Sequence, residues 1–205
     1  NTLLAPLAVA AGDPSVAVTQ YDTARNMSDR LAALTVLTHH FAGSAPAETA
    51  LSAFYDRFVD DPLVLDKWFM LQASAPDAGT LDKVIELAAH PAFRLANPNR
   101  ARALLAGLAG LNPYVFHRAD GAGYRWMADM LGKLDTLNPQ TAARMATAFR
   151  SWRLMEPLRR EAAQAALTEL AGRGGLSRDL ADIHCRQAAV AHLLDDPRLC
   201  ADLRD

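Results

Sequence analysis

The stretch LANPNRARALLAGLAGLNPYVF (95–116) decides the fold class, because it holds two helix starts with a helical pattern between them. Proline fits the first turn of a helix, since it lacks an N–H that would have no partner there. The asparagine before each proline, at 97 and 112, can accept a bond from the next free amides. Leucine and alanine then recur at helical spacing. The stretch therefore predicts a helix over 98–111 and another that starts at 113.

The same start recurs along the chain, where an acidic, asparagine or small residue precedes proline at Asp13-Pro14, Ala45-Pro46, Asp61-Pro62, Asn138-Pro139 and Asp196-Pro197. Glycines such as Gly43 and Gly172 indicate helix ends. The predicted helices are 28–42, 46–60, 62–74, 79–89, 98–111, 113–119, 122–135, 139–152, 155–172 and 177–194. Links this short favour an all-α fold, an irregular α-α superhelix of stacked antiparallel helix pairs that forms a single helical domain over 1–205.

Composition argues against nucleic-acid and membrane binding and indicates the cellular compartment. A net charge of −2 argues against a nucleic-acid or anionic-membrane surface, which needs a basic face. No apolar run approaches the ~18–20 residues of a membrane span, and no basic leader segment begins the chain. Two cysteines, Cys185 and Cys200, make no disulfide framework. We therefore expect a cytoplasmic protein that binds neither nucleic acid nor membrane.

The sequence contains no motif that is typical of catalysis or metal binding. None of the six histidines forms a His-x-x-x-His pair, and Cys185 and His192, seven apart, are an incidental pair. The chain has no nucleophile elbow and no phosphate loop. The two glycines in 119–124 favour a tight turn over an anion cradle, and Trp68-Phe69 favours core packing over a cavity lining. We therefore expect no catalytic residue, metal or cofactor in this chain.

Three polar residues lie off the apolar stripes of their predicted helices. Arg102 lies beside the small residues Ala106 and Ala109 of helix 98–111. Gln140 and Arg144 lie four apart on helix 139–152, one above the other. From periodicity alone each arginine is most simply a solvated surface residue, and spacing along the sequence does not show that the three converge.

Five segments carry a resemblance to a known family: ARNMSDRLAAL (24–34), DDPLVLDKWFMLQASAP (60–76), HPAFRLANPNRARALL (90–105), NPYVFHRADGAGY (112–124) and LNPQTAARM (137–145). Together they resemble the C-terminal helical domain of the bacterial aminopeptidase N family, which are zinc-dependent enzymes that remove N-terminal residues from peptides. The resemblance runs over about residues 1–183. The tail 184–205 departs from the usual ending of the family.

The resemblance implies a fragment of a larger multidomain enzyme. Family members bind zinc through a His-Glu-x-x-His helix and a later glutamate, and none of these occurs here. This chain would cover the active site of an intramolecular catalytic domain, and would be inactive alone. Family enzymes also place two arginines and a glutamine on the cavity wall, near the substrate residues beyond the scissile bond. Matching the family pattern assigns substrate binding to Arg102, Gln140 and Arg144.

An alternative from another class is a free-standing helical-repeat scaffold that binds a protein partner on its concave face. The gene separates the two hypotheses. A reading frame that continues upstream through His-Glu-x-x-His favours the enzyme domain, and a start codon near Asn1 favours the scaffold.

Overall fold

The computed structural model describes residues 1–182, and every regular element within them is a helix. The predicted helix 177–194 lies largely outside the described residues, as do Cys185, His192, Cys200 and the tail 184–205. The elements are α1 (Leu4–Ala11), α2 (Ser15–Thr23), α3 (Met27–His40), α4 (Ala45–Phe58), α5 (Pro62–Ala73), α6 (Thr80–Ala89), α7 (Pro98–Leu111), α8 (Pro113–Phe116), α9 (Ala122–Asp135), α10 (Pro139–Ala146), a 3₁₀ helix (Thr147–Leu154) and α11 (Pro157–Ala171).

Side-chain caps before proline set the helix starts, as the sequence predicts. At α7 the Asn97 side chain accepts bonds from the backbone N–H groups of Asn99 at 3.0 Å and Arg100 at 3.2 Å. The Asn138 side chain accepts from the N–H of Thr141 at 2.9 Å, which starts α10. A cap of this kind stabilises a helix by ~1 kcal/mol.

The asparagine before α8 does more than cap. Asn112 is buried, and its oxygen accepts from the Val115 N–H at 3.2 Å. Its amide group donates to the carbonyls of Ala73 and Ala75, at 3.2 and 2.6 Å, which lie at the end of α5. One side chain therefore fixes both the start of α8 and its position against α5.

Two differences from the predicted helices have physical reasons. The helices α1 and α2 were not predicted, although Asp13-Pro14 was recognised as a start. Helix α1 is apolar on all sides, and α2 buries only Ala17 and Tyr21, so neither shows a clear stripe. The predicted helix 139–152 tightens at Thr147 into a 3₁₀ helix. Its buried residues Ala146, Phe149 and Trp152 recur every third position, which is the period of a 3₁₀ helix.

Helices that follow one another in sequence pack in pairs, and α5 also packs closely on α7. A Cβ atom at Gly107 of α7 would lie 3.0 Å from the Cβ of Ala73 and 3.2 Å from the carbonyl oxygen of Met70, so glycine permits this approach. The buried side chains form one continuous core from Leu4 to Leu180. The all-α superhelical fold class is confirmed.

The aromatic pair of α5 belongs to this core. Trp68 and Phe69 are buried, with their ring centroids 5.0 Å apart in an edge-to-face arrangement. The indole N–H of Trp68 donates to the Leu51 carbonyl at 3.0 Å. The core-packing interpretation of these residues is confirmed.

Over residues 1–182 no helix is both long enough and apolar enough to cross a bilayer.

Candidate functional site

Helix α7 carries two arginines with opposite surroundings, and the first is structural. Arg100 is buried, and its Nε lies 2.5 Å from an Asp66 carboxylate oxygen. The guanidinium also donates to the Ala92 carbonyl and lies 4.8 Å from the ring centroid of Phe69. Arg100 therefore joins α7 to α5 and to the loop before α7.

The second arginine of α7 faces solvent. Arg102 follows Arg100 by two residues, which is a rotation of about 200° around a helix. Its side chain is exposed, and its only hydrogen bond among the described residues is a long one, 3.5 Å from Nη1 to the Asn99 side-chain oxygen. No carboxylate of residues 1–182 pairs with it. Its guanidinium is thus available to a group from outside.

Helix α10 exposes the other two candidates. Gln140 and Arg144 lie one turn apart and are both exposed, while Ala142, Met145 and Ala146 face the core. Within the described chain the Arg144 guanidinium has no ion pair. By contrast, ion pairs with carboxylates hold Arg100, Arg118, Arg159 and Arg173.

The structure brings the two supporting helices together, because α7 packs against α10. Gln140 and Arg144 share one helix face, as the four-residue spacing predicts. In the described part of the chain no hydrogen bond joins Arg102 to either of them. The three residues therefore lie as separate, solvated groups on neighbouring helices, and their binding role stays a prediction.

A groove that the sequence did not indicate lies between the loop after α8 and the start of α11. Its volume is about 710 Å³, within the ~300–1,000 Å³ range of ligand pockets. Two large apolar side chains border it, Tyr114 at 63% exposed and Leu154 at 89%. The walls come from residues about 40 positions apart in sequence, so no local pattern could have indicated the groove.

A half-buried histidine, His117, lines this groove. The Nδ1 of His117 lies 2.8 Å from the Tyr124 hydroxyl, and its carbonyl accepts from the Nε of Arg159 at 2.5 Å. Burial, and secondarily the Arg159 charge, lower the pKa of His117 below its ordinary value. The neutral ring that results is a hydrogen-bonding group and not a cation at neutral pH.

The glycine loop before α9 is a tight turn. Gly121 has a φ of 68°, in the left-handed region that favours glycine. A Cβ there would lie 2.7 Å from the Cβ of Ala162 in α11, so the loop also permits close packing. The turn interpretation of 119–124 is confirmed.

Residues 1–182 offer no place for a zinc ion. No group of three or more histidine, cysteine, aspartate or glutamate side chains lies close enough there to hold a metal. The Nε2 of His39 instead lies 3.2 Å from the carbonyl oxygen of Leu71, and its neighbour in sequence, His40, is exposed. The donor set of a catalytic zinc does not fit these residues.

Comparison with known proteins identifies the family. Residues 1–189 match the family described as a domain of unknown function (DUF3458_C) with ARM repeats. The chain belongs to this family. ARM repeats are stacked helices, in agreement with the packing described above.

Curated relatives confirm the resemblance to aminopeptidase N. Aminopeptidase N of Escherichia coli K12 is 41% identical over 162 residues, which are 78% of this chain and 18% of that protein. Aminopeptidase N of Caulobacter vibrioides is 38% identical over 163 residues, 80% of this chain and 19% of that protein. The chain therefore spans about a fifth of the length of these relatives.

A solved structure shares the fold. Legionella pneumophila aminopeptidase A, in a crystal structure with aspartic acid, has a TM-score of 0.81 and 28% identity, covering 87% of this chain and 21% of that chain. A stretch of 29 residues, 14% of this chain, is also 76% identical to part of the DNA mismatch repair protein MutS of Paracoccus denitrificans. That match covers 3% of MutS, which is too little to indicate a shared domain.

Proposed function

We propose that this chain is the C-terminal helical domain of a zinc aminopeptidase N, where it covers the active site and lines the peptide-binding cavity. The 38–41% identity to aminopeptidase N of two bacteria, over 78–80% of this chain, is the observation that carries the proposal. The 205 residues would act as one domain of a multidomain enzyme. The two cysteines favour a reducing compartment, so we place that enzyme in the cytoplasm.

In this proposal Arg102, Gln140 and Arg144 contact the substrate beyond the scissile bond. Their exposure supports the role, and so does the absence of a carboxylate partner for either arginine within residues 1–182. A guanidinium offers a planar fork of donors that matches a carboxylate or peptide carbonyls. The Gln140 amide can donate and accept in the same stretch of peptide.

The domain would act by enclosure and orientation, and the chemistry would belong to the rest of the enzyme. Zinc in the parent enzyme would activate water and polarise the scissile carbonyl. The helices would exclude bulk water and folded proteins, which strengthens electrostatic interactions at the metal and restricts substrates to peptides. The isolated 205-residue chain should therefore cleave no aminoacyl chromogenic substrate. Zinc-dependent turnover by the pure chain would refute this division of labour.

Steady-state kinetics of the parent enzyme test the substrate role. Arg102→Ala and Arg144→Ala should each lower kcat/KM for a tetrapeptide by about tenfold, the effect of losing ~1.4 kcal/mol of binding. An aminoacyl p-nitroanilide, which does not extend past the first residue, should be cleaved at the wild-type rate. Arg160→Ala, at an exposed arginine of α11, is the matched control. Equal losses on both substrates would count against contact beyond the scissile bond.

A second candidate is a helical-repeat scaffold that binds a protein partner. The groove bordered by Tyr114 and Leu154 is the observation that favours it, because large exposed apolar side chains mark contact surfaces. Sequencing the gene distinguishes the two. A frame that extends upstream through His-Glu-x-x-His supports the enzyme domain, and a start codon near Asn1 supports the scaffold.

A further inference from the structure

The stretch from 136 to 155 carries positive charge and no acidic residue. Its charged side chains are Arg144 of α10 and Arg150 and Arg153 of the 3₁₀ helix, in a chain whose net charge is −2. No ion pair within residues 1–182 includes any of the three. The described chain therefore leaves this charge without a carboxylate partner.

The two carboxylates that flank this stretch in sequence are engaged elsewhere. Asp135 is buried and accepts hydrogen bonds from the backbone N–H of Ser177, at 2.7 Å, and from its hydroxyl. Glu156 accepts from backbone N–H groups at the start of α11 and pairs with Arg159 at 2.9 Å. Both oxygens of each carboxylate therefore already have partners.

The 3₁₀ helix places Arg150 and Arg153 in one row. Residues three apart lie one above the other in a 3₁₀ helix. The row through Phe149 and Trp152 is buried, and the next row contains Arg150, which is exposed, and Arg153, which is partly buried. A rise of ~2.0 Å per residue separates their backbone positions by about 6 Å. The two arginines therefore lie on adjacent turns of one helix face.

The guanidinium of Arg153 packs on an indole and has no hydrogen bond to compensate its charge. Its Cζ atom lies 5.2 Å from the ring centroid of Trp152, within the ~6 Å of a cation–π contact. Its Nε and Nη2 are buried and have no hydrogen-bond partner. Buried donors without a partner are uncommon in native proteins, and a partly buried unpaired charge is unfavourable. A carboxylate at Nη1 would therefore add stabilisation here.

The spacing of the two arginines matches an extended peptide. Residues two apart in an extended chain point to the same side and lie about 6.7 Å apart. The corresponding distance between Arg150 and Arg153 along the helix is about 6 Å. Carboxylates on alternate residues of a peptide can therefore face both guanidiniums together, whereas carboxylates on adjacent residues point to opposite sides.

We propose that Arg150 and Arg153 form a docking surface for a peptide segment in extended conformation that carries acidic side chains two residues apart. Charge complementarity and the matching spacing identify this occupant. The inference goes beyond the substrate role of Arg102, Gln140 and Arg144 and does not depend on it.

A nucleic acid fits this surface less well. Nucleic-acid-binding domains have a basic balance, and this chain has 23 acidic residues against 21 lysines and arginines. Two arginines on adjacent turns give few phosphate contacts to offset repulsion from a chain of net negative charge.

Fluorescence anisotropy tests the inference with labelled peptides and the protein expressed from its complete reading frame. The peptides have an acetylated N-terminus, so that an aminopeptidase cannot cleave them, and contain Glu-x-Glu, Gln-x-Gln or Glu-Glu. We expect the Glu-x-Glu peptide to bind at least about tenfold more tightly than the Gln-x-Gln peptide, because a hydrogen bond to a charged group contributes that much or more. The Glu-Glu peptide should bind severalfold more weakly than Glu-x-Glu.

Variants locate the binding surface. Arg150→Gln and Arg153→Gln should each remove most of the preference for Glu-x-Glu. The matched control is Arg57→Gln, because Arg57 is an exposed arginine of α4 whose guanidinium lies 5.6 Å from the ring centroid of Phe58. This control should bind the peptides as the wild type does.

Four results would overturn the inference. Equal affinity of the wild type for Glu-x-Glu and Gln-x-Gln would show that the surface does not recognise carboxylates. Equal affinity for Glu-Glu would contradict the extended geometry. A preference that survives in both arginine variants would place the binding site elsewhere, and tighter binding of a single-stranded oligonucleotide of equal charge would identify phosphates as the ligand. The wild-type comparisons need no variant, so they remain decisive even where a substitution at Arg153 impairs folding.

Discussion

The outer face of α1 and the polar side chains of α7 and α10 are both exposed, yet their chemistry is opposite. The first has Leu3, Leu7 and Val9 and no charge. The second has Arg102, Gln140 and Arg144, with two guanidiniums that no carboxylate of residues 1–182 neutralises. An apolar face gains free energy when a protein surface covers it permanently. Cationic side chains can stay hydrated and exchange their water for a charged or polar ligand.

The largest effect that we expect separates the two arginines of α7. Arg100→Ala should lower the free energy of unfolding by about 3 kcal/mol, because it leaves Asp66 without its partner and removes packing on Phe69. Arg102→Ala should change the same quantity by less than about 0.5 kcal/mol. Urea unfolding of both variants measures the difference. Equal destabilisation would mean that Arg102 is a structural residue, which would break the comparison.

A charge on the α1 face should have the next largest effect in the parent enzyme. Leu7 is 57% exposed in this chain, and we expect the rest of the parent enzyme to cover it. Leu7→Glu would then place an unpaired carboxylate in an apolar contact, at a cost of about 2 kcal/mol. Glu161→Lys, at an exposed site of α11, should stay within about 0.5 kcal/mol. Denaturant midpoints of the two variants provide the measurement. An unchanged denaturant midpoint in Leu7→Glu would indicate that the outer face of α1 remains exposed to water.

Matched peptides can test whether Arg102 and Arg144 recognise the C-terminal carboxylate of a substrate. Wild-type enzyme should cleave a tetrapeptide with a free C-terminal carboxylate at least about tenfold more efficiently than its C-terminal amide, since a hydrogen bond to a charged group contributes ~1.5 kcal/mol or more. Double substitution of Arg102 and Arg144 by alanine should remove the preference. If the preference survives in the double variant, other groups recognise the peptide terminus.

The smallest effect concerns pH and a half-buried histidine of α3. Burial lowers the pKa of His39 below its ordinary value near 6.5, so the unfolded chain binds the proton more readily than the folded one. The contribution of His39 to the free energy of unfolding should therefore be fully present above pH 6.5, and it should be lost as the pH falls below that value. His39→Gln should weaken this dependence. Urea unfolding at several pH values between 5 and 8 measures this dependence. If the free energy of unfolding varies with pH in His39→Gln as it does in the wild type, His39 is not the group responsible.

Sequence alone predicted the fold where local chemistry decides it. The Asn-Pro starts place α7 at Pro98–Leu111, and the bounds of α9, Ala122–Asp135, also agree with the prediction. Helix α1 was not predicted, because a helix that is apolar all round has no stripe. The 3₁₀ turn at Thr147 was missed because a spacing of three fits one helical turn of either kind.

The candidate site was only partly predictable. The exposure of Arg102, Gln140 and Arg144 follows from helical periodicity. The pairing of Arg100 with Asp66 joins residues 34 positions apart, and the groove joins Tyr114 to Leu154, so both depend on packing between helices. Local patterns carry no information about such distances.

The most direct test of the central claim is a crystal structure of the parent enzyme with a non-hydrolysable peptide in its active site. We expect the Arg102 and Arg144 guanidiniums within hydrogen-bond distance, about 3 Å, of peptide oxygens beyond the scissile position. Gln140 should contact the same stretch. A bound peptide that leaves all three side chains in open solvent would contradict the assignment of this face to the cavity wall.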